Sequence, residues 1–153
     1  MTGTRASEPA QVVRGGRVSW LTGPPAAGGR ITAESHAFGS IEMAVPEAAT
    51  EPEQTTPGEL LAVAHGAMMA TAVAGILEEA GTPPRELVVA AHAAFSGPVT
   101  ERELLSLSLE VYGRAPGLEQ EAFEKAASSA RERYLRTSGT RQDLGGDLSA
   151  ALR

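Results

Sequence analysis

The stretch "AVAHGAMMATAVAG", residues 62–75, consists almost wholly of small and apolar side chains, with one histidine, His65, and two methionines, Met68 and Met69. Its flanks mark a helix. Thr56 is placed to act as N-cap, and Pro57 falls at the first-turn position, where a missing N–H costs least. Gly81 follows the last apolar residues, with Pro83 and Pro84 behind it, so the helix should end near Ala80. Apolar residues run all the way round its middle, so the helix should be buried on most sides, by sheet, by another helix or by a second subunit.

The segments around this helix read as strands and one further helix. "GGRVSWLTG" (15–23) has strand character with Val18 and Trp20 on one face, and "PPAAGG" (24–29) is a turn. "RITAESHAFG" (30–39) alternates Ile31, Ala33 and Ser35 against Thr32, Glu34 and His36, as a half-buried strand does. "SIEMAVP" (40–46) supplies a third strand, and "EAATEPEQTT" (47–56) an acidic loop. Beyond the helix, "RELVVAAHAAF" (85–95) puts Leu87, Val89, Ala91, Ala93 and Phe95 on one face. "ELLSLSLEVYG" (103–113) alternates more strictly, with Leu105, Leu107, Leu109 and Val111 inward. "SGPVTER" joins the two as a hairpin. "APGLEQEAFEKAASSARERYLRTSG" (115–139) is a second helix with Glu119 and Glu121 in its first turn. "DLSAALR" (147–153) is a final strand. The order βββ-α-ββ-α-β predicts an α+β fold with helices on one side of antiparallel sheets. Residues 1–12 read as a mobile tail and 13–153 as a single domain.

Composition narrows the chemistry. The chain has 153 residues, 42% of them hydrophobic, and a formal net charge of −6, with no Lys/Arg run that would attract nucleic acid. Arg131, Arg133 and Arg136 are interrupted by Glu132 and read as cations complementing a helix C-terminus. There are no cysteines, which excludes disulfides, zinc–thiolate sites and thiol mechanisms. The three histidines are far apart, without metal-ligand spacing. His36 and His92 read as strand residues without chemical roles. No cofactor, nucleic acid or membrane partner is implied. The N-terminus lacks an apolar signal core, and the expected location is cytoplasmic.

"TTPGELLAVAHGAMMATAVAGILEEAG" (55–81) resembles the central helix of the OsmC/Ohr (osmotically inducible / organic hydroperoxide resistance) family. "LEVYGRAPGLEQEAFEKAASSARERY" (109–134) resembles that family's strand, "PG" turn and second helix, and "GRITAESHAFG" (29–39) its N-terminal hairpin strand. The resemblance covers roughly residues 15–153 through order and spacing rather than one diagnostic word. It implies an intertwined homodimer whose antiparallel sheets wrap around long central helices, with two active sites at the subunit interface. It also implies thiol-dependent reduction of organic hydroperoxides. Mapped here, however, the reactive cysteine position falls on Met68 and the resolving cysteine position on Tyr134. The activating glutamate position falls on Gly58; Glu59 is one residue later, about 100° around the helix. Only the arginine matches, at Arg30. A thioether cannot form a thiolate, so cysteine-peroxidase function is rejected.

What remains is the lining of a pocket without its thiol chemistry: Leu61, Ala64, His65, Met68 and Ala72 fall at helical spacing along one stripe, with Met69 and Glu59 nearby. Such a lining suits a small apolar organic ligand. Each polar residue there carries two readings. His65 is either a hydrogen-bonded core residue or a general acid/base. Tyr134 either packs on the core or points its phenol into the pocket. Arg30 either clamps an anion or carbonyl or forms a surface ion pair. Glu59 is a base or a solvated first-turn acid. Two functions follow: cofactor-free acid/base catalysis (isomerisation, cyclisation or dehydration) by His65, Tyr134 and Arg30, or a non-catalytic ligand-binding or assembly role. Peroxide handling through methionine oxidation is a weaker third.

Overall fold

The computed structural model describes residues 13–21, 28–43, 54–97, 101–137 and 144–153. The expected tail at 1–12, most of the turn at 24–29, most of the acidic loop at 47–56 and the middle of the 96–102 link lie outside the described residues. The chain divides into two compact units, the N-terminal strands with residues 53–55, and the stretch from Thr56 to Arg153 together with 46–52.

The N-terminal unit is an antiparallel meander of β1 (Gly16–Leu21), β2 (Gly28–Ala33) and β3 (Ile41–Met43), in that spatial order. The register opposes Val18 to Ile31, Trp20 to Gly29 and Ile31 to Ile41. Period-two alternation therefore gathers Val18, Trp20, Ile31, Ile41 and Met43 on one face. Gly29 lies between Trp20 and Met43; a Cβ there would stand 2.7 Å from the Met43 methyl and 3.1 Å from the Trp20 ring. β2 is shorter than the alternation of 30–39 predicts. The backbone turns at Ala33, with His36 N donating to Ala33 O at 3.1 Å and His36 in the left-handed region at φ +54°. Ser35 and His36 are thus turn residues, and their share of the alternation is coincidental.

In the larger unit α1 spans Pro57–Glu79. Its start is fixed by a capping box: Glu59 N donates to Thr56 Oγ1 at 3.2 Å, and Thr56 N donates to Glu59 Oε2 at 2.9 Å. Its end is a Schellman motif. Gly81, at φ +76°, donates to Glu78 O, and Thr82 N donates to Leu77 O at 2.9 Å. β4 (Glu86–Ser96) and β5 (Glu103–Arg114) pair antiparallel, and β6 (Leu148–Leu152) lies against β5. The β5–β6 pair is parallel, which corrects the all-antiparallel expectation. A helix, α2 (Gln120–Thr137), lies between the two strands in sequence, as a parallel connection requires.

α2 begins later than expected. Residues Ala115–Leu118 instead form a turn closed by Leu118 N to Ala115 O at 3.2 Å, with Gly117 at φ +80° after Pro116. Proline followed by a positive-φ glycine is the type II pattern. Glu119 consequently precedes the helix, and Glu121 sits in its first turn. The Gln120 side chain completes the β6 edge like an extra strand residue: its Nε2 donates to Ala150 O and its Oε1 accepts from Leu152 N, both at 2.8 Å. This blunts an edge that would otherwise be open to pairing.

Both helices cover the same face of this sheet, as expected. Met69, Val73 and Leu77 from α1 meet Leu107, Leu109 and Val111 from β5 and Phe123, Ala127 and Ala130 from α2. Leu87, Val89, Ala91 and Ala93 pack against this cluster. Leu105 does not join them. The register shifts from Ala94–Ser106 to Phe95–Leu104, so Leu105 is the extra residue of a β-bulge and is 51% exposed. α1 is long and apolar enough to cross a bilayer by length and composition alone. Here one of its faces is packed in the core of the unit.

Candidate functional site

The buried stripe of α1 is Ala62, His65, Gly66, Met69, Val73 and Leu77. It follows the spacing of one helical face, and it places the imidazole of His65 among core residues. Tyr134 lies in the last turn of α2, with Ala126, Ala127 and Ala130 buried on the same helix. Small residues at these positions let the helices approach. The result joins two side chains 69 residues apart: the Tyr134 hydroxyl is hydrogen-bonded to His65 Nδ1. Their rings meet edge to face, with centroids 5.5 Å apart and planes at 77°. His65 is 7% exposed and Tyr134 4%.

Burial also sets the charge. Desolvation holds the His65 pKa below its ordinary 6.5. The imidazole is therefore neutral at pH 7, with one nitrogen a donor and the other an acceptor. The same burial that costs a charge makes the hydroxyl–imidazole bond valuable, because an unpaired Nδ1 at this depth would be unsatisfied.

The other candidates are distributed differently. Leu61, Ala64 and Met68 face outward and are exposed, Met68 by 47%. Ala72 is half-buried against the core, and Met69 is fully buried within it. The stripe read from the sequence is thus the margin between the buried and open faces of α1: His65 and Ala72 on the inner side, Leu61, Ala64 and Met68 on the outer. Glu59 is engaged in the capping box. Arg30 lies on β2 in the N-terminal unit, where its Nη2 stands 3.8 Å from Glu42 Oε1 and both side chains are solvent-exposed. Among the described residues no group of three or more His, Asp or Glu is arranged to hold a metal ion.

One feature of α1 was already implied by its all-round apolar run, and a second escaped sequence reasoning. Val63, 70% exposed, and Ala67 extend the open face of α1, so that this face is apolar well beyond the three residues singled out. The continuous apolar run was the signal for it. The second is the reason for Gly58: a Cβ at that position would lie 3.0 Å from the Phe95 ring, so β4 and the first turn of α1 meet across a bare backbone. Separately, the N-terminal unit carries an open groove of about 440 Å³ lined by Gly15, Gly16, Arg17, Thr32, Ala33, Glu34 and His36.

No protein-family model matches the sequence, and no curated protein matches it. Solved structures do match in fold. An organic hydroperoxide resistance protein from Elizabethkingia anophelis, with thiocyanate bound, superposes with a TM-score of 0.68 at 16% identity over 94% of this chain and 99% of that one. An OsmC-like protein of unknown function from Vibrio cholerae gives 0.70 at 11% identity, covering 92% of this chain and all of the other. A second Vibrio cholerae protein, described as an organic hydroperoxide resistance protein and holding captopril in one of its active sites, gives 0.61 at 18% identity over 88% and 90%. These likenesses establish the OsmC/Ohr-type α+β fold for a chain without cysteine.

Proposed function

We propose that this protein is an OsmC-type homodimer that binds a small, largely apolar organic molecule beside α1 and does not reduce hydroperoxides through a thiol. The observation that carries the reading is the open face of α1. Leu61, Val63, Ala64, Ala67 and Met68 expose a contiguous apolar surface, and the buried His65–Tyr134 pair adjoins it. Exposed patches of this kind mark association surfaces or ligand grooves. An apolar wall with a few fixed polar groups is the usual make-up of small-molecule sites. The captopril held by one fold relative supports a pocket for small organic molecules in this architecture. The absence of any cysteine removes the nucleophile of peroxide reduction. Where catalysis accompanies binding, it is cofactor-free and draws on His65 and Tyr134.

The test has two parts. Light scattering coupled to size exclusion should return twice the chain mass, and Val63→Glu should halve it by placing a charge on the part of the open α1 face, away from His65, that the proposed dimer covers. Thermal-shift titration of the dimer against a panel of small apolar compounds should give saturable stabilisation that Met68→Glu abolishes. A monomer, or a dimer that no compound stabilises, refutes the reading. A second reading is a non-catalytic assembly protein. It is favoured by one specific observation: the His65–Tyr134 bond is internally satisfied, with Met69 filling the neighbouring core. A dimer that binds nothing would support it.

A further inference from the structure

The His65–Tyr134 pair limits what the proposed site can recognise. Tyr134 occupies Nδ1 of the imidazole. Every buried side-chain polar atom among the described residues has a partner, so the remaining nitrogen, Nε2, lies on the small part of His65 that reaches solvent. The residues beside His65 at helical spacing that are exposed are Leu61, four residues before, and Met68, three residues after. Either group can donate in the Tyr134–His65 bond, according to the imidazole tautomer. A phenol O–H is the better donor and a neutral imidazole nitrogen the better acceptor. Donation by the hydroxyl to Nδ1 corresponds to the tautomer protonated on Nε2.

Resting on the reading of this face as the binding surface, we propose that the site selects a neutral apolar molecule bearing a carbonyl oxygen, recognised by the His65 Nε2–H that Tyr134 orients. A hydrogen-bond acceptor matches this donor; a hydrocarbon leaves it unused. A carboxylate is disfavoured for a separate reason. α1 contains Glu59, Glu78 and Glu79 and no lysine or arginine, so the helix that forms the wall offers an anion no counter-charge. Tyr134 is a positioning residue here, acting through the ring it holds.

Two measurements test this on the intact protein. Long-range proton–nitrogen correlation spectra of nitrogen-labelled protein should show His65 with a protonated Nε2 and an unprotonated Nδ1, and Tyr134→Phe should release that preference. Nδ1 protonation in the parent protein overturns the inference. In parallel, binding of 2-undecanone, undecane and decanoate is compared by calorimetry. The ketone should bind about tenfold more tightly than the alkane, the worth of one net hydrogen bond. His65→Leu should erase that ratio, ketone and alkane then binding alike. Equal affinity for ketone and alkane, or preference for decanoate, overturns the carbonyl assignment alone. Failure of all three to bind refutes the binding surface itself.

Discussion

Removing the Tyr134 hydroxyl is the most direct probe of the site. Tyr134→Phe keeps the ring that packs edge to face on His65 and deletes the hydroxyl that bonds to Nδ1. Both residues are buried, so water does not readily replace the lost partner. A buried acceptor left unsatisfied costs about 1–3 kcal/mol. In a chain of this size each kcal/mol lowers Tm by about 2–4 °C, so the variant should melt roughly 2–12 °C below the parent. Melts must be run at one protein concentration, because an associating protein has a concentration-dependent Tm. A double-mutant cycle sharpens the result. His65→Leu alone removes the same bond from the other side, so the double variant's loss should fall short of the sum by about 1 kcal/mol or more. A Tyr134→Phe variant melting within about 1 °C of the parent, with additive double-variant losses, would refute the account of a bond whose worth comes from burial.

Stability should also depend on pH through His65. Its folded pKa lies below 6.5 because desolvation disfavours the charged ring, so the unfolded chain binds the proton more readily. Stability is therefore full above about pH 6.5 and declines as pH falls from there through the folded pKa. Urea midpoints measured between pH 7.5 and 5 should show this decline, and His65→Gln should flatten it; an unchanged slope in the variant would assign the effect elsewhere. Gly113→Ala should destabilise by about 1–3 kcal/mol through overpacking. The added Cβ would stand 2.5 Å from Cζ of the fully buried Phe123, and Phe123→Leu in the same chain should recover part of the loss, as calorimetry can check. Met68→Cys should not create a peroxidase: sulfenic-acid trapping should show the new thiol oxidised by an organic hydroperoxide no faster than free cysteine. Faster oxidation would mean that the surroundings of position 68 still activate a thiolate.

The parts of the fold that were legible in the sequence are those whose causes are local. Thr56, Pro57, Glu59 and Gly81 fix both ends of α1 through bonds spanning five residues or fewer, and all are visible in the sequence. Pro116–Gly117 is local too but ambiguous, since proline opens helices and also takes the second place of a turn; the left-handed Gly117 decides for the turn. The bulge that expels Leu105 depends on β4 pairing across the sheet, and the parallel placement of β6 depends on the α2 crossover. Neither leaves a mark in the strand's own alternation. α1 poses a different difficulty. Helical periodicity locates a buried face only when polar residues mark the opposite one, and here almost none do. The contacts with β4 and α2 choose Met69 for the core and Met68 for the surface, adjacent residues of the same type.

The site was legible to the same extent and for the same reason. His65 stands out as a lone imidazole in an apolar helix and Tyr134 as the one phenol of a charged, amphipathic helix, but their bond belongs to the packing of α1 on α2. That bond gives physical content to the departures from the thiol-peroxidase pattern. Position 134 holds a hydroxyl that satisfies a buried imidazole. Position 58 holds a glycine where a side chain would press on Phe95. Position 68 holds an exposed thioether. Tyr134 has a bonding partner of its own, and Gly58 meets the Phe95 ring. Restoring a single thiol would leave Gly58 against Phe95 and Tyr134 on His65. Under the proposed function, a neutral hydrogen-bonding pair borders an apolar helix face where a thiol site would require a charged, nucleophilic centre.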